Sequence, residues 1–206
     1  MIEFLEQLDR ELFLYLNGLR ADFLDRPMWV ISQIYGTLPL MLILLYHIWK
    51  KHSWQLAVSS LGGIIIVVSL ADRISVELFK EVFQRFRPTH NLEIKDIVNT
   101  VKDFAGVEYR GGKFSFVSSH ATNFFGLSSF YWQLLRPTKK WIVIALFAWA
   151  GIVSYSRIYL GVHYPSDIFA GAALGLIIGW ASFKIFDALY RRFIVKERAL
   201  QPKTQS

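Results

Sequence analysis

The stretch HSWQLAVSSLGGIIIVVSLA, residues 52–71, contains no Asp, Glu, Lys or Arg. A run of about 20 apolar residues is long enough for a helix to cross the hydrocarbon core of a bilayer. The whole chain has 206 residues, of which 53% are hydrophobic, and a chain this short cannot surround several such helices with polar structure. The stretch therefore predicts a transmembrane helix in an integral membrane protein.

Four other stretches are similarly poor in charged residues. Together with the first they predict five transmembrane helices, at about residues 27–49, 53–76, 114–135, 141–160 and 165–186. The predicted fold is all-α: a polytopic membrane helical bundle of five transmembrane helices plus an N-terminal amphipathic interfacial helix, in a single domain over residues 1–206.

The amphipathic helix is predicted over residues 1–26, where leucines recur at intervals of three and four among charged residues. A sixth, short span is the alternative for this segment. Asp9, Arg10 and Glu11 in its middle disfavour that alternative, because charged side chains are costly inside a bilayer.

The formal net charge of +7 is unevenly distributed along this topology. The cytoplasmic side is predicted from the positive-inside rule, which selects the two basic turns and the basic tail 187–206. The segment 89–113 and the link before the fifth span then face outward. The excess of basic residues lies on the predicted cytoplasmic side of the membrane and does not form one polar face of a domain, so no nucleic-acid partner is expected. The chain has no Cys, which excludes disulfides and thiolate sites. The two turns contain Lys50 and Lys51, and Arg136, Lys139 and Lys140.

The first of three polar groups follows the second span. Lys80 and Arg87 are about two helical turns apart, so they share one face if the helix continues to Pro88. When this group is taken alone, the favoured interpretation is a solvated helix extension whose cations balance Glu77 and Glu81.

The second group, SFVSSH at residues 115–120, opens the third span. Its serines can cap the helix, and the amides of a first turn form an anion site. His120 can accept or donate a proton near neutral pH. A capped helix followed by an interfacial histidine is the alternative interpretation.

The third group consists of Arg157 at the end of the fourth span and His163 and Asp167 at the start of the fifth. An aspartate four residues beyond a histidine can accept a hydrogen bond from one ring nitrogen and leave the other as a nucleophile or base. An ordinary loop with a helix cap and a local ion pair is the alternative.

The predicted topology places all three groups at the outward end of the bundle. Three cations and helix-start amides suit a phosphate dianion. Two histidines suit a displacement in which one attacks and the other protonates the leaving oxygen. The combination therefore favours phosphoryl transfer over the separate alternatives.

The spacing of these groups resembles the signature of a known family, the type 2 phosphatidic acid phosphatases, which form the membrane branch of the acid phosphatase and vanadium haloperoxidase superfamily. The first and third motifs match completely, whereas in the second Val117 and Ser119 replace the family's Pro and Gly. The three motifs are Lys80-x6-Arg87-Pro88, Ser118-Ser119-His120 and Ser156-Arg157-x5-His163-x3-Asp167.

The resemblance implies that His163 attacks phosphorus while Asp167 holds its ring, and that His120 protonates the leaving oxygen and then activates water. It also implies that no metal or other cofactor takes part and that vanadate inhibits. The phosphate-binding residues implied by the family are Lys80, Arg87, Ser118, Ser119 (through its amide) and Arg157.

A site at the mouth of the bundle admits a headgroup while the acyl or isoprenyl chain stays in the bilayer. The expected partners are membrane lipids and a lipid phosphate or diphosphate substrate: undecaprenyl diphosphate, phosphatidylglycerol phosphate, phosphatidic acid or the 1-phosphate of lipid A. The loop 89–113 is expected to cover the site. The expected location is a bacterial inner membrane, with the site facing the periplasm and the C-terminus in the cytoplasm, and no oligomeric state is predicted.

Two alternatives remain at this stage. A phosphotransferase would pass the group from His163 to another lipid or sugar. An anion channel or transporter would place ionisable residues in the middle of several spans, whereas here they gather at one edge.

Overall fold

The computed structural model describes residues 1–135 and 140–195, and every regular element in these ranges is helical. The predicted all-α class is therefore confirmed. Arg136, Lys139 and the last part of the predicted tail, residues 196–206, lie outside the described residues. The helices are α1 Ile2–Gly18, α2 Asp22–Ser32, α3 Ile34–Lys51, α4 Trp54–Arg73, α5 Glu81–Phe83, α6 Ser119–Leu135, α7 Lys140–Tyr159 and α8 Pro165–Tyr190.

Long apolar helices identify an integral membrane protein. A π-helical segment, Ile74–Lys80, joins α4 to α5, and a second one follows α8. Among the described residues, three helices are long and apolar enough to cross a membrane: Trp54–Phe83, Lys140–Tyr159 and Pro165–Ile194. Helices α2 and α3 meet the same condition as a pair bent by 58°. Helix α6 has 17 residues, so the count of five spans remains a prediction.

The first predicted span is broken near its start. A single helix is predicted over residues 27–49, but α2 ends at Ser32 and Gln33 has an extended backbone with φ −96° and ψ 158°. Gly36 permits the bend, because a Cβ there would lie 2.2 Å from the carbonyl oxygen of Val30. The interfacial helix predicted over residues 1–26 is likewise shorter, since α1 ends at Gly18.

The helix after the second span ends earlier than predicted. Gln84 adopts a left-handed conformation, with φ 47°, and terminates the helix after Phe83. Lys80 and Arg87 therefore do not share a face of one helix, and Arg87 precedes a short 3-10 turn at Pro88–His90.

The third predicted span, residues 114–135, begins as a helix only at Ser119. The residues before it pair with another backbone segment instead. Arg87 donates its backbone N–H to the carbonyl of Lys113 at 3.1 Å, and Ser115 donates to the carbonyl of Arg85 at 2.8 Å. This pairing holds the segment before α6 beside the end of the α4–α5 helix.

Helices α6 and α8 pack against each other with little space between their backbones. A Cβ on Gly175 would lie 2.4 Å from the carbonyl oxygen of Thr122, and one on Gly179 would lie 2.1 Å from that of Gly126. Small residues allow such close approach in membrane helix pairs. The contact sets the start of α6 beside the start of α8, where the backbone N–H of Ser118 donates to the carbonyl of Asp167 at 3.1 Å.

We expect Gly175→Ala to destabilise the bundle, because the added methyl group would meet backbone that cannot rotate away. Overpacking of this kind costs about 1–3 kcal/mol. The free energy of unfolding in detergent measures it. Gly151→Ala is the matched control, since a Cβ at Gly151 in α7 meets no atom within 4 Å; an equal loss of stability in both variants would contradict the prediction.

Candidate active site

His163 and Asp167 form a buried pair at the start of α8. The side chain of His163 is 1% exposed and that of Asp167 is 0% exposed. Oδ2 of Asp167 accepts a hydrogen bond from the backbone N–H of Tyr164 at 2.8 Å and lies 3.4 Å from Nδ1 of His163. Because a carboxylate can only accept, it favours the tautomer with the proton on Nδ1. The lone pair of Nε2 is then available to attack an electrophile.

Two buried guanidinium groups lie near this pair. Arg157, at the end of α7, donates from Nη1 to Oγ of Ser32 and from Nη2 to the hydroxyl of Tyr109 at 2.9 Å. Arg87 donates from Nε to the carbonyl of Phe114 at 3.0 Å. Nη1 of Arg87 and Nε of Arg157 are buried and have no hydrogen-bond partner among the described residues.

Buried donors without partners and two neighbouring like charges are unfavourable unless an anion compensates them. Burial lowers the pKa of the Arg87 guanidinium, and the positive charge of Arg157 lowers it further. Planar guanidinium groups bind phosphate oxygens with good geometry. The arrangement therefore fits a phosphoryl group placed between the two arginines and His163.

The electrostatic surroundings keep His163 neutral. Burial lowers the pKa of the imidazole well below its ordinary value, and the positive charges of Arg87, Arg157 and Lys80 lower it further, against a smaller opposing effect of the Ser115 backbone. A neutral imidazole is the nucleophilic form. The cations that are predicted to bind phosphate therefore also favour the neutral form of this histidine.

We expect the acidic limb of the kcat/KM profile to lie below pH 6.5, because that ratio reports groups of the free enzyme. His163 is predicted to attack in its neutral form, so activity is expected to persist as the pH falls past about 6.5, the ordinary pKa of His, and to be lost only nearer the lowered pKa. Rates on a lipid phosphate monoester between pH 4 and 8 check this, after correction for the second phosphate ionisation near about pH 6. A limb at or above pH 6.5 would contradict it.

His120 lies in the first turn of α6 and is oriented by the end of α2. Its Nε2 lies 3.1 Å from the carbonyl oxygen of Ser32, so that nitrogen carries a proton and donates it. Ser32 thus contacts both His120 and Arg157. No signal in the sequence marks Ser32, because its role depends on the break after α2.

The two serines before His120 occupy different environments. Oγ of Ser119 accepts a hydrogen bond from Nζ of Lys80 at 2.8 Å and pairs with Oγ of Ser75 at 2.8 Å. Ser118 is fully buried and accepts a hydrogen bond on Oγ from the N–H of Ala121 at 3.4 Å. The predicted site residues all lie at the same end of the bundle: Lys80, Arg87, Ser118, Ser119, His120, Arg157, His163 and Asp167.

The loop between α5 and α6 reaches the arginines through Tyr109 and Gly111. The ring of Tyr109 packs on Trp29 with 4.9 Å between ring centroids, and its hydroxyl binds Arg157. Gly111 has a φ of +66°, and a Cβ there would lie 1.9 Å from Nη1 of Arg87. The adjacent glycines in the sequence of this loop were the available signal for such close approach.

We expect Gly111→Ala to lower kcat/KM by about 10²-fold, because displacement of a substrate-positioning group by about 1 Å can cost that much. Kinetics on a lipid phosphate monoester check this. Gly106→Ala is the control, because Gly106 also has a positive φ, +81°, but a Cβ there meets no atom within 4 Å. Both variants carry the same backbone cost of about 1–2 kcal/mol, so equal activities would contradict the prediction.

Sequence reasoning missed Arg85, a third arginine at this end of the bundle, which binds Asp167 directly. Nη1 of Arg85 donates to Oδ1 of Asp167 at 3.0 Å, and Nη2 donates to Oδ2 of Asp9 at 2.8 Å. Arg85 stands two positions before Arg87, so the repeated arginine was a usable signal. Asp9 was not identifiable, because it is one of several acidic residues in α1.

Within residues 1–135 and 140–195, no group of three or more His, Asp or Glu side chains is placed so that it could hold a metal ion. The polar groups at the bundle end instead combine cations, imidazoles and one carboxylate. These contacts first define a class of protein, a membrane-embedded enzyme whose site is built for a phosphoryl group.

Comparisons with known proteins agree with this class. A model described as the PAP2 superfamily matches residues 56–191. The lipid A 4'-phosphatase of Porphyromonas gingivalis is 35% identical over 191 residues, which cover 93% of this chain and 77% of that protein. The lipid A 4'-phosphatase of Bacteroides thetaiotaomicron is 35% identical over 193 residues, covering 93% of this chain and 83% of the relative.

The solved structures include a similar fold. The crystal structure of Aquifex aeolicus LpxE matches with a TM-score of 0.62 at 29% identity, covering 86% of this chain and 95% of that chain. The chain belongs to the PAP2 superfamily, and it is an integral membrane phosphatase.

Proposed function

We propose that this protein removes a phosphate group from the headgroup of a membrane lipid through a phosphohistidine on His163. The observation that carries the proposal is the position of a neutral buried imidazole, held by Asp167, beside two buried guanidinium groups with unpartnered donors. A nucleophile, its orienting group and a dianion site are thereby combined at one place.

Each step follows from the chemistry of these side chains. Nε2 of His163 attacks phosphorus and the bond from phosphorus to the lipid oxygen breaks. His120, protonated on both ring nitrogens, donates its Nδ1 proton to that oxygen and keeps its Nε2 proton on the Ser32 carbonyl. His120 then takes a proton from water, whose oxygen attacks phosphorus and breaks the bond to His163. Arg87, Arg157 and Lys80 stabilise the charge on the phosphoryl oxygens in both steps, and no metal ion is required.

The headgroup that we propose is a phosphorylated saccharide, as in lipid A carrying a 4'-phosphate. Two relatives aligned over 93% of this chain are named lipid A 4'-phosphatase. A cavity of about 560 Å³ also lies beside Tyr109, and Trp29, which packs on Tyr109, forms part of its wall. Other lining residues are Arg20, Arg26 and Lys102, Asp22, Asp25 and Glu108, and Phe23 and Phe104.

This lining suits a sugar. Charged groups of both signs offer donors and acceptors to hydroxyl groups, and aromatic rings offer apolar faces to a sugar ring. Trp29 in the cavity wall packs on Tyr109, and the hydroxyl of Tyr109 accepts a hydrogen bond from Arg157 at 2.9 Å. A sugar in the cavity can thus present its phosphate to the two arginines.

The protein is proposed to lie in a bacterial inner membrane, with the site toward the periplasm and the C-terminus in the cytoplasm. The uneven distribution of basic residues supports this orientation. Since the chain has no Cys, Lys95→Cys in the exposed loop introduces a unique thiol, and an impermeant thiol reagent is expected to label it on intact cells. If this thiol is protected and a Cys in the C-terminal tail is labelled instead, the protein has the opposite orientation and the proposal is wrong.

Purified protein in detergent, with EDTA present, tests the reaction. Lipid A, phosphatidic acid and undecaprenyl diphosphate are the substrates, and free phosphate is the product measured. We expect release to be fastest from lipid A, and a radiolabelled phosphate group to be trapped on the protein in an acid-labile form. A requirement for added metal, or a product that forms only with a lipid or sugar acceptor, would contradict hydrolysis by this mechanism.

A further inference from the structure

We propose that Arg85, held by Asp9 of α1, is a positioning residue for the attacking histidine, and that the N-terminal helix is therefore part of the active site. The inference rests on the proposed function, because it concerns the reaction at His163. It goes beyond that function by assigning roles to two residues outside the predicted site.

The contacts form a continuous chain from α1 to the nucleophile. Asp9 accepts hydrogen bonds from Nη2 of Arg85 at 2.8 Å and from the backbone N–H of Ser166 at 2.9 Å, and it also contacts the hydroxyl of Ser166. Nη1 of Arg85 donates to Oδ1 of Asp167 at 3.0 Å and to Oγ of Ser166 at 2.7 Å. One guanidinium group thus bridges two carboxylates and the first turn of α8.

The bridge completes the surroundings of Asp167. Oδ2 of Asp167 accepts a hydrogen bond from the backbone N–H of Tyr164 and lies beside Nδ1 of His163. Oδ1 accepts a hydrogen bond from Arg85. Without Arg85, a fully buried carboxylate would lose its cation and one hydrogen-bond donor, which is costly and frees the carboxylate to rotate. The imidazole would then lose the fixed orientation on which attack depends.

Arg85 is itself fixed from several directions. Its guanidinium lies 4.0 Å from the centre of the Tyr164 ring and stacks on it. Asp9 supplies the second negative charge and is 11% exposed, whereas Arg85 is 23% exposed. Asp9 also places a carboxylate at the positive end of α8. Lysine cannot reproduce this bridge, because it lacks the planar fork of donors.

Three variants test the role: Arg85→Met, Arg85→Lys and Asp9→Asn. We expect kcat on the lipid phosphate monoester to fall by about 10- to 100-fold in Arg85→Met, the usual effect of removing a group that orients an active-site ligand, and by less in the other two. Glu11→Gln is the matched control, since Glu11 is an exposed carboxylate of the same helix that bonds Gln7. It is expected to retain wild-type kcat.

Two readouts separate positioning from a purely structural role. The KM and the inhibition constant of inorganic phosphate are expected to stay within about threefold of wild type, which is under 1 kcal/mol, because Arg85 is not one of the proposed phosphate ligands. A structural role would instead weaken phosphate binding together with kcat. The melting temperature in detergent shows whether each variant is folded.

The pH profile provides the third readout. Loss of the Arg85 cation makes the His163–Asp167 pair take up a proton at higher pH, either on the carboxylate or on an imidazole that now faces an uncompensated charge. The acidic limb of kcat/KM is therefore expected to move to higher pH in Arg85→Met and to stay in place in Glu11→Gln. The other charged or titratable groups that face His163 are unchanged in every variant: Lys80, Arg87, His120 and Arg157.

The outcomes distinguish the inference from the proposed function. If Arg85→Met, Arg85→Lys and Asp9→Asn all keep wild-type kcat and an unmoved acidic limb while His163→Ala is inactive, the inference alone is overturned. If the wild type releases no phosphate from any lipid, or His163→Ala equals the wild type, the proposed function is overturned as well. Should Arg85→Met not fold, the kinetics and pH profiles of Arg85→Lys and Asp9→Asn decide.

Discussion

His163→Ala is expected to lower kcat on a lipid phosphate monoester by at least about 10⁴-fold, since removal of a catalytic nucleophile leaves only binding and charge stabilisation. His120 is not expected to replace it, because the orienting carboxylate of Asp167 lies beside His163 while the ring of His120 is held toward the Ser32 carbonyl. Phosphate release, measured with enough protein to detect a residual rate of this size, checks the effect.

A control variant and a second measurement accompany that experiment. His52→Ala, at the exposed turn between α3 and α4, is the control and is expected to leave kcat unchanged. The His163→Ala variant is also expected to form no acid-labile phosphoprotein. A variant that keeps a tenth of wild-type turnover, or still becomes labelled, would show that another residue attacks phosphorus.

Arg157→Lys is expected to lower kcat/KM by about 10²- to 10³-fold, the usual cost of one preorganised donor to a developing negative charge. Lysine keeps the charge but lacks the planar fork of donors with which Arg157 binds Ser32 and Tyr109 while Nε stays unpartnered. The charge alone is therefore not sufficient. Steady-state kinetics measure the effect.

Arg73→Lys provides the comparison for that substitution. Arg73 is 79% exposed and makes an ion pair with Glu77 on the surface of the α4–α5 helix. Its replacement is expected to change kcat/KM less than twofold, well within about 0.5 kcal/mol. Similar losses in the two lysine variants would mean that the fork of donors at Arg157 has no particular role.

The sequence indicated which polar residues meet at one end of the bundle, because these residues lie at the ends of apolar segments, and their roles in a reaction stay predictions. The order of the spans alone places Arg157 and His163 at the same side of a membrane as the residues around His120. Local spacing then indicates which aspartate meets which histidine. Neither step requires knowledge of how the helices pack.

The bends in the helices could not be predicted in the same way. No Pro or Gly stands at Gln33 or Gln84, where the helices end. The break after Ser32 is stabilised by partners distant in sequence, since Ser32 binds His120 and Arg157. Local sequence does not contain that information, and the predicted single helix over residues 27–49 was wrong for this reason.

The contact between Asp9 and Arg85 shows the same limit. The two residues are 76 positions apart, and Asp9 resembles the other acidic residues of α1. Its partner is chosen by the docking of α1 beside α8. Such a pairing becomes visible only once the packing of the helices is known.

The break between α2 and α3 lies outside the region of the chain that matches the superfamily. The region that matches the PAP2 superfamily, residues 56–191, contains both histidines of the site. Ser32 and the cavity wall formed by Arg26 and Trp29 lie before it. The surroundings of these histidines therefore include residues outside the matched region, because Ser32 contacts both His120 and Arg157.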